Sequence, residues 1–268
     1  MHRLAPSVRK ILVDECRAVP DERVGIFLSG GIDSSVVLFA LLEAGKKVTG
    51  YTFMLDGRLS TDFKFARHTA KTFGVDFVPI FLPTSLDILK RDLVRLANLG
   101  ARLKTEFECF WPMLYAYEST KERVIFNGNG VNGHFGIGKK AMMHYRDRMD
   151  DYRRMCHASP TRNQMHLHRK FAASLGKEFA SPFRSKPMQD LFLGTSWKEI
   201  NSPKLKQPMY DAFPRETARI RTQHMNYQLG DSGIQTNMLR LLHSDWNTSG
   251  WKSTVGIYNA VVAGRLRL

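Results

Sequence analysis

The stretch Val24-Gly25-Ile26-Phe27-Leu28-Ser29-Gly30-Gly31-Ile32-Asp33-Ser34-Ser35 decides the fold. Its first five residues are a short apolar run of strand type. Paired glycines follow, and Ser34 to Ala44 has helical character. Two consecutive glycines let a chain turn tightly and present unobstructed N–H groups. The helix that follows adds its positive end, so the segment reads as an anion pocket sized for phosphates. Ser29, Ser34 and Ser35 are expected to add hydroxyl donors. Asp33 is the odd member, because a carboxylate beside phosphate is repulsive unless a divalent cation lies between them. The economical reading is a Mg²⁺–pyrophosphate site with Asp33 on the metal. No GxxxxGK[ST] occurs, which excludes a Walker loop. The bland alternative is a tight strand–helix turn with Asp33 as a helix cap.

Working outward, apolar residues at helical spacing (Val8, Ile11, Leu12, Val13, Cys16) predict an amphipathic helix over 6–18. Strands are expected at Lys47–Leu55, Asp76–Leu82 and Arg123–Asn127. Helices are expected at Thr61–Phe73, 85–98 and about 107–118. Strands alternating with helices of this length specify an α/β, doubly wound parallel sheet covered on both faces. Both glycine-rich segments, 29–35 and 128–138, follow strands at the carboxyl edge, where such sheets bind ligands. Beyond about residue 140 the pattern turns to charged helical stretches with no clear strand alternation. The expected organisation is a nucleotide-binding core over 1–140 and a helical, basic, substrate-side layer over 141–268 packed on the same core.

The formal charge is +15. Residues 1–135 hold 18 Lys/Arg against 15 Asp/Glu, and residues 136–268 hold 22 against 10, so the excess lies in the second half. Such a field attracts nucleotide phosphates, acidic metabolites or a nucleic-acid backbone; the alternative is a solvated basic surface. Arg146, Arg148, Arg153, Arg154, Arg162, Arg169 and Lys170 form a basic run with Tyr145, Tyr152 and Phe171 interleaved. It could track nucleic acid or be a charged helical face. Cys16, Cys109 and Cys156 are widely spaced and read as buried thiols of a reducing compartment. The N-terminus has charges inside its apolar stretch and no apolar run reaches spanning length, so a soluble, cytoplasmic protein with no membrane association is expected. His166 and His168 form an HxH pair, but i and i+2 do not share a helical face, and no metal site is read there.

Ser29–Ser35 with its preceding strand resembles the loop of the PP-loop (N-type) ATP pyrophosphatases, and most closely the C-terminal synthetase domain of asparagine synthetase. Ile125-Phe126-Asn127-Gly128-Asn129-Gly130-Val131-Asn132-Gly133-His134-Phe135-Gly136 resembles the second family signature, a strand followed by SGEGxDExFGG. Ala172–Phe183 resembles a helix and GxExRxPF stretch, and Lys206-Gln207-Pro208-Met209-Tyr210 sits where the family carries K-x-x-L-R. The likeness spans about residues 6–230. Gly128–Gly133 also satisfies GxGxxG, yet no strand ending in an acid follows about 20 residues later, so a dinucleotide-binding turn is the weaker reading.

The resemblance implies an adenine nucleotide alpha hydrolase-like fold that uses ATP and Mg²⁺. It implies nucleotide contacts from Leu28, Ser29, Gly30, Gly31, Asp33, Ser34, Ser35, Thr52, Phe53, Asn127 and Gly128, with Asp33 on the metal. Catalytic roles are implied for Asp33, Asn129 and Lys206, the lysine stabilising charge that develops in the transition state. The implied reaction is AMP- and pyrophosphate-forming synthesis of an amide or amidine from an acid and an amine. The sequence departs from the family at one loop. Asn129 replaces the Glu of SGEG, and Asn132-Gly133 replace Asp-Glu. An amide accepts no proton near neutral pH and is a poor Mg²⁺ ligand. Altered acceptor chemistry, a nucleotide binder with reduced turnover, and an enzyme modifying a nucleic acid or base are the readings left open. Glu106 or Glu108 could supply the missing base. The chain opens Met-His without the nucleophilic cysteine of a glutaminase domain. Ammonia would then come free or from a separate glutaminase subunit, unless another amine is the nucleophile.

Overall fold

The computed structural model describes residues 1–55, 57–159, 164–222 and 230–266. Five parallel strands form one sheet: β1 (Arg23–Phe27), β2 (Lys47–Leu55), β3 (Asp76–Leu82), β4 (Val124–Phe126) and β5 (Glu178–Ala180), in the order β3-β2-β1-β4-β5. Successive strands run outward from β1 through β2 to β3, and the chain then returns to the other side of β1 for β4 and β5. The strand order therefore reverses between β1 and β4, which opens a crevice at their carboxyl ends. Pro79 lies in β3, an edge strand, where a missing N–H costs no central ladder bond.

In the first half helices alternate with the strands: α1 (Ala5–Ala18), α2 (Ile32–Glu43), α3 (Thr61–Thr72), α4 (Leu86–Leu99) and α5 (Lys104–Ser119). Helix α1 starts with Pro6 in its first turn and buries Val8, Leu12, Val13 and Cys16 on one side. The Ser60 hydroxyl caps α3 by accepting from Phe63 N–H at 3.1 Å. The second half adds α6 (Val131–His134), α7 (Lys139–His144), α8 (Met149–Ala158), α9 (Met165–Ser174), α10 (Lys186–Leu193), α11 (Trp197–Ile200), α12 (Gln207–Ala212), α13 (Pro214–Thr217), α14 (Ile234–His243) and α15 (Thr254–Val262).

Strand periodicity sorts the core into two layers. Val24, Ile26 and Leu28 face a cluster with α1, α2, Phe183, Phe192, Met209 and Phe213. Phe27 and Tyr51 face the other cluster, with α4, α5, α14 and α15. Each layer draws on both halves of the sequence, so the second half shares the core of the first. One element departs from the sequence reading. Glu178-Phe179-Ala180 pairs in parallel with β4 and makes a fifth strand where no strand pattern is legible. Three residues are too few for a period of two to register. None of the three cysteines is in a disulfide, and all are buried. Among the described residues no helix is long and apolar enough to cross a membrane.

Candidate functional site

The loop between β1 and α2 lies at the β1/β4 crevice. Leu28 is held on both sides of its peptide plane. Its N–H donates to the Tyr51 carbonyl at 2.9 Å, and its carbonyl accepts from the Thr52 hydroxyl at 2.7 Å. Gly30 has φ +69, and a Cβ there would lie 2.6 Å from the Asp62 carbonyl oxygen, so only glycine fits. Gly31 caps α2 without a side-chain hydrogen bond, which leaves the helix end facing the crevice.

The three serines divide their work. Ser34 and Ser35 are buried. The Ser34 hydroxyl accepts from Ser29 N–H at 3.1 Å, and the Ser35 hydroxyl donates to the Gly31 carbonyl at 2.9 Å. In this structure the Ser34 and Ser35 hydroxyls close the loop on itself. Ser29 is the exposed member, with its Oγ 3.1 Å from that of Ser34.

The second loop is pressed against the first. A Cβ on Gly128 would lie 2.7 Å from both Asp33 C and Ser34 N, so the backbone of one loop rests directly on that of the other. Asn127 is buried; its N–H donates to Ala180 O at 3.2 Å and its Oδ1 accepts from Asn129 N–H at 2.9 Å. β5, the strand missing from the sequence reading, thus anchors this loop. Phe53 is half-buried, beside Thr52 on β2.

Lys206 arrives from the helical half. Its Nζ donates to both Asp33 oxygens, at 2.6 and 2.7 Å, joining residues 173 positions apart. The Lys206 side chain is 4 % exposed and that of Asp33 23 %. Lys206 has φ +62, a left-handed conformation that costs a non-glycine residue of order 1 kcal/mol and recurs at functional sites. Its N–H donates to Asn201 Oδ1 at 3.3 Å. Asn201 Nδ2 in turn donates to the carbonyls of Trp197 and Phe135, and Trp197 Nε1 donates to Phe135 O at 2.9 Å. The residue that ends α6 therefore sets the helical segment that delivers the ammonium. Neither Asn201 nor Trp197 is singled out by the sequence, because nothing local marks a side chain as a brace for a distant lysine.

Two other sequence assignments land elsewhere. Glu106 accepts from Arg102 N–H at 2.7 Å and Leu103 N–H at 3.0 Å, and so caps α5. Glu108 is buried with Lys104, the Thr254 hydroxyl and the Tyr258 hydroxyl under α15. Both carboxylates are occupied structurally, which removes them as substitutes for the missing base. The basic run also divides. Arg153 is 1 % exposed; it donates to the carbonyls of His134 (2.6 Å), Thr195 (2.8 Å) and Phe192, and pairs with Asp150. Tyr152 and Phe171 are buried as well, in different parts of the core. Arg146, Arg148, Arg154, Arg169 and Lys170 stay exposed, and Arg162 lies outside the described residues. Among the described residues no three His, Cys, Asp or Glu side chains cluster as a metal site.

A parallel sheet with a glycine-rich, helix-initiating loop at its switch point is the arrangement a PP-loop nucleotide-binding protein requires. The model of the asparagine synthase family matches residues 8–246, and the chain belongs to that family, whose members use ATP. It is 30% identical over 70 residues to the microcin J25-processing protein McjC of Escherichia coli; the match covers 26% of this chain and 14% of that protein's length. Among solved structures, NMN synthetase from Francisella tularensis is 15% identical with a TM-score of 0.38, over 83% of this chain and 96% of that one. The U34-tRNA thiolase NcsA from Methanococcus maripaludis, solved with its [4Fe-4S] cluster, is 12% identical with a TM-score of 0.33, over 96% and 76%.

Proposed function

We propose that this PP-loop protein is an ATP-dependent, AMP- and pyrophosphate-forming carbon–nitrogen ligase with an altered acceptor site. One observation carries the reading. The Lys206 ammonium from the helical half stands over Asp33, at the uncapped N-terminus of α2. The site thus holds a cation and a helix end where a departing pyrophosphate needs compensating charge.

In this scheme a substrate carboxylate oxygen attacks the α-phosphorus of ATP and the bond to the bridging oxygen breaks, expelling pyrophosphate. The amine nitrogen then attacks the acyl carbon and AMP departs with the C–O electron pair. The amine's proton passes to solvent or to the AMP phosphate, since the amide of Asn129 accepts none. Lys206 and the α2 amides hold the pyrophosphate, and the two loops fix ATP across the crevice. Positioning and charge compensation supply most of the rate in such a reaction.

The residues fit one Mg²⁺ ion held by a single carboxylate, Asp33, with phosphate oxygens and water completing its shell. Bound there, the ion would neutralise phosphate charge. Lys206 holds both Asp33 oxygens in this structure, so metal binding requires the lysine to yield at least one of them. The proposed partners are a small carboxylic acid and an amine. The amine is ammonia, free or from a separate glutaminase subunit, or a substituted amine. The family's acidic residues are absent at Asn129 and Asn132, so substrate identity does not follow from the family.

The test is incubation with ATP, Mg²⁺ and pooled carboxylic acids and amines, with AMP, ADP and pyrophosphate quantified. AMP and pyrophosphate in equal amounts, dependent on both pools and cut at least 100-fold by Asp33→Ala, is the expected result. ADP without pyrophosphate refutes the scheme, and near-normal rates in Asp33→Ala refute the role of Asp33.

A further inference from the structure

The residue that replaces the family's glutamate is held more firmly than a surface loop requires. Among the described residues, Asn129 is tied at three points. Its N–H donates to Asn127 Oδ1 at 2.9 Å, its carbonyl accepts from the Ser181 hydroxyl at 2.6 Å, and its side-chain amide lies 3.0 Å from His168 Nε2. His168 is 2 % exposed and comes from α9, 39 residues further on. Its other ring nitrogen is 2.9 Å from the Tyr117 hydroxyl of α5, itself fully buried. The imidazole is stacked on Phe179 with centroids 4.6 Å apart at 14°, and Phe110 meets it edge-on at 4.9 Å. The ring is therefore fixed in position and plane, and with it the side chain of Asn129.

We propose that His168 is a positioning residue that, through an uncharged chain Tyr117–His168–Asn129, sets the Asn129 amide at the acceptor side of the crevice. This rests on the ligase reading above. Asn129 is next to Gly128, whose backbone touches the phosphate loop, so a side chain fixed there sits one residue from the nucleotide site. Burial pushes the His168 imidazole down to about 3, with His166 adding a smaller push in the same direction. The ring stays neutral and offers one donor and one acceptor nitrogen, which matches an amide at one end and a hydroxyl at the other. A carboxylate at position 129 could be met only by the opposite tautomer, with Nε2 protonated and Nδ1 accepting from the Tyr117 hydroxyl, or by imidazolium. The asparagine amide instead donates to an unprotonated Nε2, which a carboxylate does not. The acceptor amine accordingly meets an oriented dipole rather than a base, and must arrive deprotonated or lose its proton to another group.

The test uses the full chain with ¹⁵N-labelled histidine. The His168 ring nitrogens should report one neutral tautomer from pH 5.5 to 8. In Asn129→Asp the proton should be found on Nε2 over that range, because a carboxylate accepts a hydrogen bond and donates none. A wild-type ring that titrates between pH 5.5 and 8, or one indifferent to Asn129→Asp, overturns the proposal. Hydroxamate formation from pooled amino acids and hydroxylamine gives the second readout. His168→Phe keeps the stacking without a hydrogen bond. It should raise the KM for hydroxylamine at least tenfold and leave the KM for ATP within twofold. His168→Gln, which reaches Asn129 in place of Nε2, should recover most of that loss. Equal effects on both KM values, or no recovery in His168→Gln, overturn the positioning role. If wild type forms neither hydroxamate nor AMP, the ligase reading falls, while the nitrogen spectra still decide whether the Asn129–His168–Tyr117 chain exists.

Discussion

Replacing Asp33 by asparagine should destabilise the protein more than replacing Lys206 by methionine, although the two residues form one ion pair. The asymmetry follows from burial. The Lys206 side chain is 4 % exposed, whereas Asp33 is 23 % exposed and sits in the first turn of α2. Two unit charges about 4 Å apart attract by about 4 kcal/mol at an effective dielectric of 20. Asp33→Asn forfeits that attraction and leaves an ammonium out of water. Removing one partner of a buried pair costs about 3–5 kcal/mol, and the asparagine oxygen still accepts one hydrogen bond, so about 3 kcal/mol is expected. In Lys206→Met the remaining carboxylate reaches water and is favoured by the α2 dipole, and the loss should be about 1 kcal/mol. For a chain of this size each kcal/mol moves the midpoint by roughly 2–4 °C. Thermal unfolding should then drop by about 6–12 °C for Asp33→Asn and about 2–4 °C for Lys206→Met, with the double variant near the latter. Pyrophosphate, a substitute anion for Lys206, should raise the midpoint of Asp33→Asn more than that of the double variant, which keeps only the α2 amides. Equal losses in the two single variants, or additive losses in the double, would refute the claim that the lysine depends on Asp33 for its charge balance.

Gly128→Ala drives a methyl group into the Asp33–Ser34 backbone, where neither atom can yield, and should cost about 1–3 kcal/mol and weaken ATP binding at least tenfold by calorimetry. Gly250→Ala, with nothing within 4 Å, is the control and should change neither. Arg153→Ala strands three backbone carbonyls and should lower stability by about 3–5 kcal/mol in urea titration, against under about 0.5 kcal/mol for the exposed Arg154→Ala. Only the Arg154 variant is therefore informative about nucleic-acid binding in salt-dependent assays. Stability should also fall with acid. Desolvation pushes His157 down to about 4, with Arg184 adding to it, and holds buried His134 well below the usual range, as it does His168. These rings are neutral when folded and bind protons below about pH 6.5 when unfolded. Their contribution is thus complete above that pH and is lost as pH falls toward 4, by about 1.4 kcal/mol per pH unit for each ring that stays neutral. A urea midpoint unchanged between pH 7 and 5 would contradict this, and His168→Gln should flatten the slope.

The order of elements and the nucleotide loop were legible in the sequence because their causes are local. A glycine pair after an apolar strand specifies a turn whatever surrounds it, and the boundaries of β2 and β3 agree to the residue with the apolar runs Lys47–Leu55 and Asp76–Leu82. That positions 129 and 132 carry amides rather than carboxyl groups was equally plain, being a matter of residue type. Tertiary structure decided which partner each polar group found. Hydrophobic periodicity encodes which face of a helix is buried but carries no information on what will cover it. Arg153 reads as one more surface charge until the carbonyls of Thr195 and Phe192, at the end of another helix, surround it. His168 reads as half of an unproductive pair until its own helix places it between Tyr117 and Asn129. Lys206 is marked in the sequence as a catalytic candidate by its place in the Lys206–Tyr210 stretch, but its partner is not. The fold carries it to Asp33, where burial makes the pair interdependent, and no spacing along the chain expresses that distance.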